Sequence, residues 1–347
     1  MSIEPSGELA LETPGEFGSD GPDRGSAGVG PWRIGMRRLR RNKTALAFGL
    51  LFVLIAGACL AAPLWAEHVA HTTPEKNHLT DQIKVGGKLK DVVSPDGVPI
   101  GPTYQGKFFL GADDNGRDTM VRLLYGGRNS LYIGLIAAMG TAIASVIVAL
   151  AAGYFRGWVD AVSSGVLDLI WAYPVVLLGI ALGTALSLGG LNVGPLHVAG
   201  DSKAIPIFII ALVYIPYMAR PLRGQVLAMR EREFVEAARA QGAGPIRIMF
   251  SEILPNLSST IVVFLPLMIA NAILLEAALS FLGAGVRPPD PSWGNMIGDG
   301  INHILSGAHQ TIVPGLALVL TVLALNVFGD GVRDALDPRS KMKMEAG

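Results

Sequence analysis

Six apolar runs, separated by polar or glycine-rich segments, constrain this chain more than any other feature. A helix crossing a hydrocarbon core ~30 Å thick needs about 20 mostly apolar residues. The expected crossings are residues 45–66, 131–153, 164–188 with a kink at Pro174, 205–218, 257–282 and 312–328. Backbone polar groups in hydrocarbon must be satisfied within their own segment. The reading is therefore an all-α polytopic membrane protein with six transmembrane helices. Composition agrees: only 16% of residues are charged, where a soluble domain carries about 25%.

Charge sets the orientation. Arg33, Arg37, Arg38, Arg40, Arg41 and Lys43 crowd before the first run, which by the positive-inside rule puts that end in the cytoplasm. Arg220 and Arg223 close the fourth run and can snorkel to the same side. Arg333, Arg339, Lys341 and Lys343 follow the sixth, so both termini are expected to be cytoplasmic. A cleaved signal peptide is the competing reading of the first run. That run is too long for a signal h-region, and the segment before it is too long for an n-region.

Five regions follow. Residues 1–31, rich in Gly, Ser, Pro and acids, are expected to form a disordered cytoplasmic tail. Residues 32–66 carry the basic segment and first span. Residues 67–128 form a polar extracytoplasmic insertion, with turn signals at Ser94-Pro95-Asp96-Gly97 and room for a small β-containing excursion. Residues 129–330 hold spans two to six, and 331–347 a cytoplasmic tail. Trp293, in the last outer loop, is expected to anchor at the membrane interface.

Several chemistries are excluded. No G-x-x-x-x-G-K-[ST] phosphate loop, G-x-S-x-G elbow or H-E-x-x-H motif occurs, and no catalytic residues are assigned. Cys59 is the only cysteine, so no intramolecular disulfide and no cysteine metal site can form. Asp113, Asn115 and Gly116 partly fit the start of a calcium loop, but Leu124 stands where its bidentate glutamate belongs. His68, His71 and His78 suggest a metal only weakly and read better as solvated loop histidines, so no metal is expected. Zero formal net charge gives no footprint for nucleic acid.

One polar stretch, residues 231–255, lies between the fourth and fifth runs, on the cytoplasmic side by the charge pattern. Phe234, Ala237, Ala238 and Gln241 recur at i, i+3, i+4 and i+7 and share one helix face. Gly242-Ala243-Gly244 breaks that helix. Pro245 suits the first position of a second, 246–254, expected to stop at Pro255. The product is an elbow with a small-residue face. It serves either as a linker between spans or as a docking site for another protein.

Glu276, with Asn271 nearby in the fifth run, is the other marked feature. A carboxylate inside a span is costly and should face a protein interior or a water-filled path. It could line a pathway, pair with a partner subunit, cap a kink or sit against Asn271.

These residues support a resemblance. Glu236-Ala237-Ala238, then Gly242, then Leu254-Pro255 resembles the "EAA" loop of ABC importer permeases. Further matches are Arg41-Asn42-Lys43, Leu110-Gly111-Ala112-Asp113-Asp114 with Gly116-Arg117-Asp118, and Glu276-Ala277-Ala278-Leu279-Ser280-Phe281-Leu282-Gly283. Pro291-Ser292-Trp293-Gly294, Gly329-Asp330-Gly331 and Asp337-Pro338-Arg339 complete the set. Together they look like the C-type subunit of the dipeptide/oligopeptide permease branch, over about residues 33–340. Two departures stand out. Glu252 occupies a place where the pattern has an apolar residue, and the outer insertion is longer than the branch leads one to expect.

The resemblance implies a type I ABC importer permease fold in a prokaryotic inner membrane. A B-type permease partner would complete the pathway, with two ATPase subunits below it and an external binding protein delivering cargo. Cargo would be peptides, or else nickel, haem or glutathione. ATP-Mg would be used by the ATPase subunits, with no cofactor on this chain. Glu236, Ala237, Ala238, Gly242, Leu254 and Pro255 would couple to an ATPase, and a bulky residue at Ala238 should disturb that docking by about 1–3 kcal/mol through overpacking. An ATP-independent channel or secondary transporter is the reading from another class. The absence of a visible inverted repeat and the few buried charges speak against it.

Overall fold

The computed structural model describes residues 31–193, 196–305 and 307–336. The expected tail at 1–31 and the motif at Asp337-Pro338-Arg339 fall almost wholly outside these. Basic α1 (Pro31–Leu39) leads into α2 (Lys43–Leu60), whose first turn is capped by the Asn42 side chain accepting from the Ala45 amide at 3.0 Å. Leu50, Val53, Leu54 and Leu60 on α2 are exposed apolar side chains, as hydrocarbon requires. A short α3 (Ala62–Trp65) and a π-turn at Ala66–Ala70 end this segment.

The outer insertion contains a hairpin of β1 (Gln82–Val85) and β2 (Lys88–Asp91), antiparallel with Gln82 opposite Asp91. Gly86 and Gly87, both at positive φ, make its two-residue turn. The hairpin is mostly exposed. The insertion's small core is Val92, Phe108 and Ala112. His78 is buried beside it, 2.7 Å from Asp81 through Nδ1 and 2.8 Å from the Thr72 hydroxyl through Nε2. The hydrogen bond from His78 holds the Asp81 carboxyl below the usual carboxylate range.

Residues 119–128, expected in the insertion, instead open α4 (Thr119–Phe155). The cause is Asp118, an N-cap whose Oδ1 accepts from the amides of Met120 and Val121, while Oδ2 accepts from Phe108 at 2.6 Å. Burial pushes this carboxyl up, against those three donors. Asp118→Ala removes the cap and strands the buried Phe108 amide. Its expected cost is about 2 kcal/mol, read as a lower thermal midpoint of the purified chain.

At ~1.5 Å per residue, α4 is about 55 Å long and outreaches the hydrocarbon at its ends. The third expected span is two helices, α5 (Gly157–Trp171) and α6 (Val175–Gly189), bent 91° apart at the Pro174 break. Thus, among the described residues, five helices are long and apolar enough to cross singly, and this bent pair makes a sixth crossing if it is one span. A hairpin of β3 (Leu191–Val193) and β4 (Leu196–Val198) precedes α7 (Ala204–Arg230), which is longer than the expected 205–218 because Pro216 and Pro221 are accommodated inside it.

The core lies where α4, α7 and α10 (Leu254–Phe281) meet. Small residues let α4 approach closely: a Cβ on Gly153 would lie 2.7 Å from Val226 of α7. Thr141 and Ser145 hydroxyls bond to the Ala211 and Ile215 carbonyls at 3.1 Å. Outside the spans, α11 (Trp293–Ile301) dips back between α10 and α12 (His309–Leu336), and α12 packs along α2.

Candidate functional site

The elbow is built from α8 (Glu233–Ala240), a turn, and α9 (Pro245–Arg247) running through a π-turn at Ile248–Ile253 into α10. Glu233 and Glu236 sit in the first turn of α8 and Arg239 in its last, as the helix dipole favours. Its end is a Schellman motif. The Ala243 amide donates to the Ala238 carbonyl and the Gly242 amide to Arg239, both at 3.0 Å, with Gly242 at φ +83°. Space around Gly242 is open, so only backbone strain opposes a side chain there. Gly242→Ala is expected to destabilise the elbow by about 1 kcal/mol, seen as faster amide exchange across residues 233–247.

Pro255 does not stop the second helix. It sits in the first turn of α10, where a missing amide costs least, and the wider π-turn before it carries the chain through without a break.

The inward stripe also differs from the expected face. Val235 is fully buried and meets Ile248, Met249 and Ile253 in the core beneath the elbow, with Ala238, Ala243 and Leu254 packed partly against it. Phe234, Ala237 and Gln241 stay exposed. Ala238 therefore faces the chain's own core and Ala237 faces away from it. Of the six expected coupling residues, Glu236, Ala237, Gly242 and Pro255 are exposed, while Ala238 and Leu254 are half-buried. Beside them Phe234, Ile246 and Phe250 are exposed at 38, 70 and 54%. The sequence hint for Ile246 and Phe250 is weak, because alternation around a π-turn follows no helical period. An ion pair of Arg156 with Glu231 at 3.0 Å ties the elbow's base to the α4–α5 turn. Arg223 bonds Asp160 at 2.6 Å, and Arg220 pairs with Asp168 while stacking 4.5 Å over Trp171.

Glu276 is fully buried at the junction of α10, α4 and α11. The Ser280 hydroxyl donates to it at 2.7 Å, and Ser130 and Ser292 stand beside it. Asn271 is not its partner: five positions apart on a helix lie about 140° apart. The Asn271 backbone carbonyl accepts from the Tyr214 hydroxyl at 3.3 Å. Trp293, expected at the membrane interface, is buried in the same junction, donating through Nε1 to the Leu123 carbonyl at 3.1 Å. Gly127 supplies the slot for its ring, a pairing that no local sequence pattern reveals. No group of three or more His, Cys, Asp or Glu side chains that could hold a metal occurs among the described residues.

The chain is thus a multi-pass helical membrane protein that carries an exposed, glycine-turned elbow between α7 and α10. The chain belongs to the family of binding-protein-dependent transport system inner membrane components, which it matches over residues 144–342. Residues 30–82 match the N-terminal transmembrane domain of oligopeptide transport permease C. It is 36% identical over 335 residues to the dipeptide transport system permease protein DppC of Alkalihalophilus pseudofirmus, covering 95% of this chain and 97% of that one. It is 34% identical over 311 residues to the glutathione transport system permease protein GsiD of Pectobacterium atrosepticum, covering 90% and 92%. An inward-facing structure of the MetNI methionine ABC transporter shares the fold, with a TM-score of 0.50 and 18% identity over 62% of this chain and 97% of that one. The chain is thus a multi-pass inner-membrane permease subunit of the type I importer fold.

Proposed function

We propose that this chain is the C-type subunit of an ATP-driven importer and forms, with a B-type partner, the passage for di- and oligopeptides. The observation that carries the reading is the elbow. Val235 plants it in the core while Glu236, Ala237 and Gly242 remain uncovered beside exposed Phe234, Ile246 and Phe250. Such a patch, small at its centre and apolar at its edge, suits the groove of another protein. That partner is an ATPase subunit, which alone would use ATP-Mg. An external binding protein would deliver cargo. The basic residues of α1 support cytoplasmic placement of the N-terminus and the elbow.

When the ATPase pair closes, it would push on the elbow. The shared packing of Val235, Ile248 and Ile253 would carry that displacement into α7 and α10 as one body. Glutathione, named for one relative, is itself a tripeptide and falls within the same cargo chemistry. The test is uptake of a labelled dipeptide by proteoliposomes holding both permeases, with the binding protein supplied at the receiving face. Uptake should require the ATPase subunits and ATP. Equal uptake without them would overturn the reading.

A further inference from the structure

A cavity of about 770 Å³ opens between α2, α4 and α10, near the far end of α2 from its basic cap. Its floor is apolar, formed by Phe52, Ala56, Leu135 and Ile269. Its mouth is charged, formed by Glu75, Arg128, Lys203 and Asp290. From Phe52 to Leu60 the groove follows α2 for ~12 Å, close to the ~15 Å depth of one leaflet. Polar groups at headgroup level above an apolar slot of leaflet depth match the profile of a phospholipid.

The charges at the mouth narrow the choice. Lys203 is engaged, 2.9 Å from Asp290 and 3.0 Å from the Asn129 side chain. Arg128 and Glu75 have no ion-pair partner among the described residues. They are thus one free cation and one free anion at the same opening. Glu75 is held there because Arg122 donates to the neighbouring Pro74 carbonyl at 3.2 Å. We propose that this groove binds an aminophospholipid, its acyl chain on the apolar floor, its phosphate on Arg128 and its primary ammonium on Glu75. An anionic glycerol headgroup would leave Glu75 facing negative charge, and a quaternary choline ammonium has no N–H to donate. The proposal is independent of the cargo and of the elbow.

The test is native mass spectrometry of the delipidated full-length chain, titrated with phosphatidylethanolamine, phosphatidylglycerol or phosphatidylcholine. Phosphatidylethanolamine should bind about fivefold more tightly than either, the worth of one exposed ion pair to Glu75. Arg128→Gln should weaken it about fivefold, and Glu75→Gln should abolish its preference over phosphatidylglycerol. Both changes lie on the exposed rim and leave the core intact. Leu135→Trp, filling the groove, should remove the tight-binding lipid. Equal binding of all three lipids, or unchanged binding by the rim variants, would overturn the proposal. So would efficient cross-linking of Leu135→Cys to a partner permease, since the groove would then be a protein interface.

Discussion

Ala237→Trp should lower ATP-driven uptake to near background while leaving the chain inserted and folded. Ala237 is exposed on α8 and touches none of the core residues that hold the elbow. An indole there cannot disturb the Val235 anchor, but it would keep an opposing surface from closing on the helix. Overpacking at a tight contact costs about 2 kcal/mol, or about thirtyfold in the docking equilibrium. Proteoliposome uptake normalised to inserted protein measures this. The contrast is Ala238→Trp: Ala238 packs toward Val235, so a large side chain there should loosen the elbow itself and lower the thermal midpoint. Finding the stability loss at Ala237 and not at Ala238 would reverse the assigned faces.

The second large effect lies in the junction around Glu276. A Cβ at Gly294 would stand 2.7 Å from the Ala277 Cα, a backbone atom that cannot swing aside. Gly294→Val should therefore push α11 off α10, expose Trp293 and strip Ser292 from the carboxyl, at about 3 kcal/mol or more. The readout is a red-shifted tryptophan emission together with a lower thermal midpoint. Glu276→Gln, which keeps an acceptor for Ser280, should be mild beside Glu276→Leu, which leaves three hydroxyls facing an apolar side chain. Equal loss by the two would show that shape, not hydrogen bonding, sets the junction.

What could be read in advance follows the range of the interactions. The apolar runs and the Gly242–Pro245 turn are local, and the structure carries helices and an elbow there. The sequence places a kink at Pro174, but its size of 91° depends on what α6 packs against. Pro255 does not end its helix, because a proline stops a helix only when the preceding turn is tight. The π-turn at Ile248–Ile253 lifts that condition. Val235 leaves little trace in the sequence, because a single apolar residue among Glu233, Glu236 and Arg239 gives little periodicity. Trp293 and Glu276 owe their burial to Gly127, Ser130 and Ser280, two of them about 150 positions away in the chain. Such slots emerge only once the helices are side by side.

Site-specific cross-linking from the elbow tests the central claim most directly. Ala237→Cys in a Cys59→Ser background, labelled with benzophenone-maleimide and irradiated in the fully assembled transporter, should join this chain to an ATPase subunit through insertion of the photoexcited ketone into a neighbouring C–H bond. The yield should change when ATP is bound. Cross-linking to the partner permease alone, or none in an assembly that still transports, would contradict the assignment of the elbow as the joint between ATP use and the membrane.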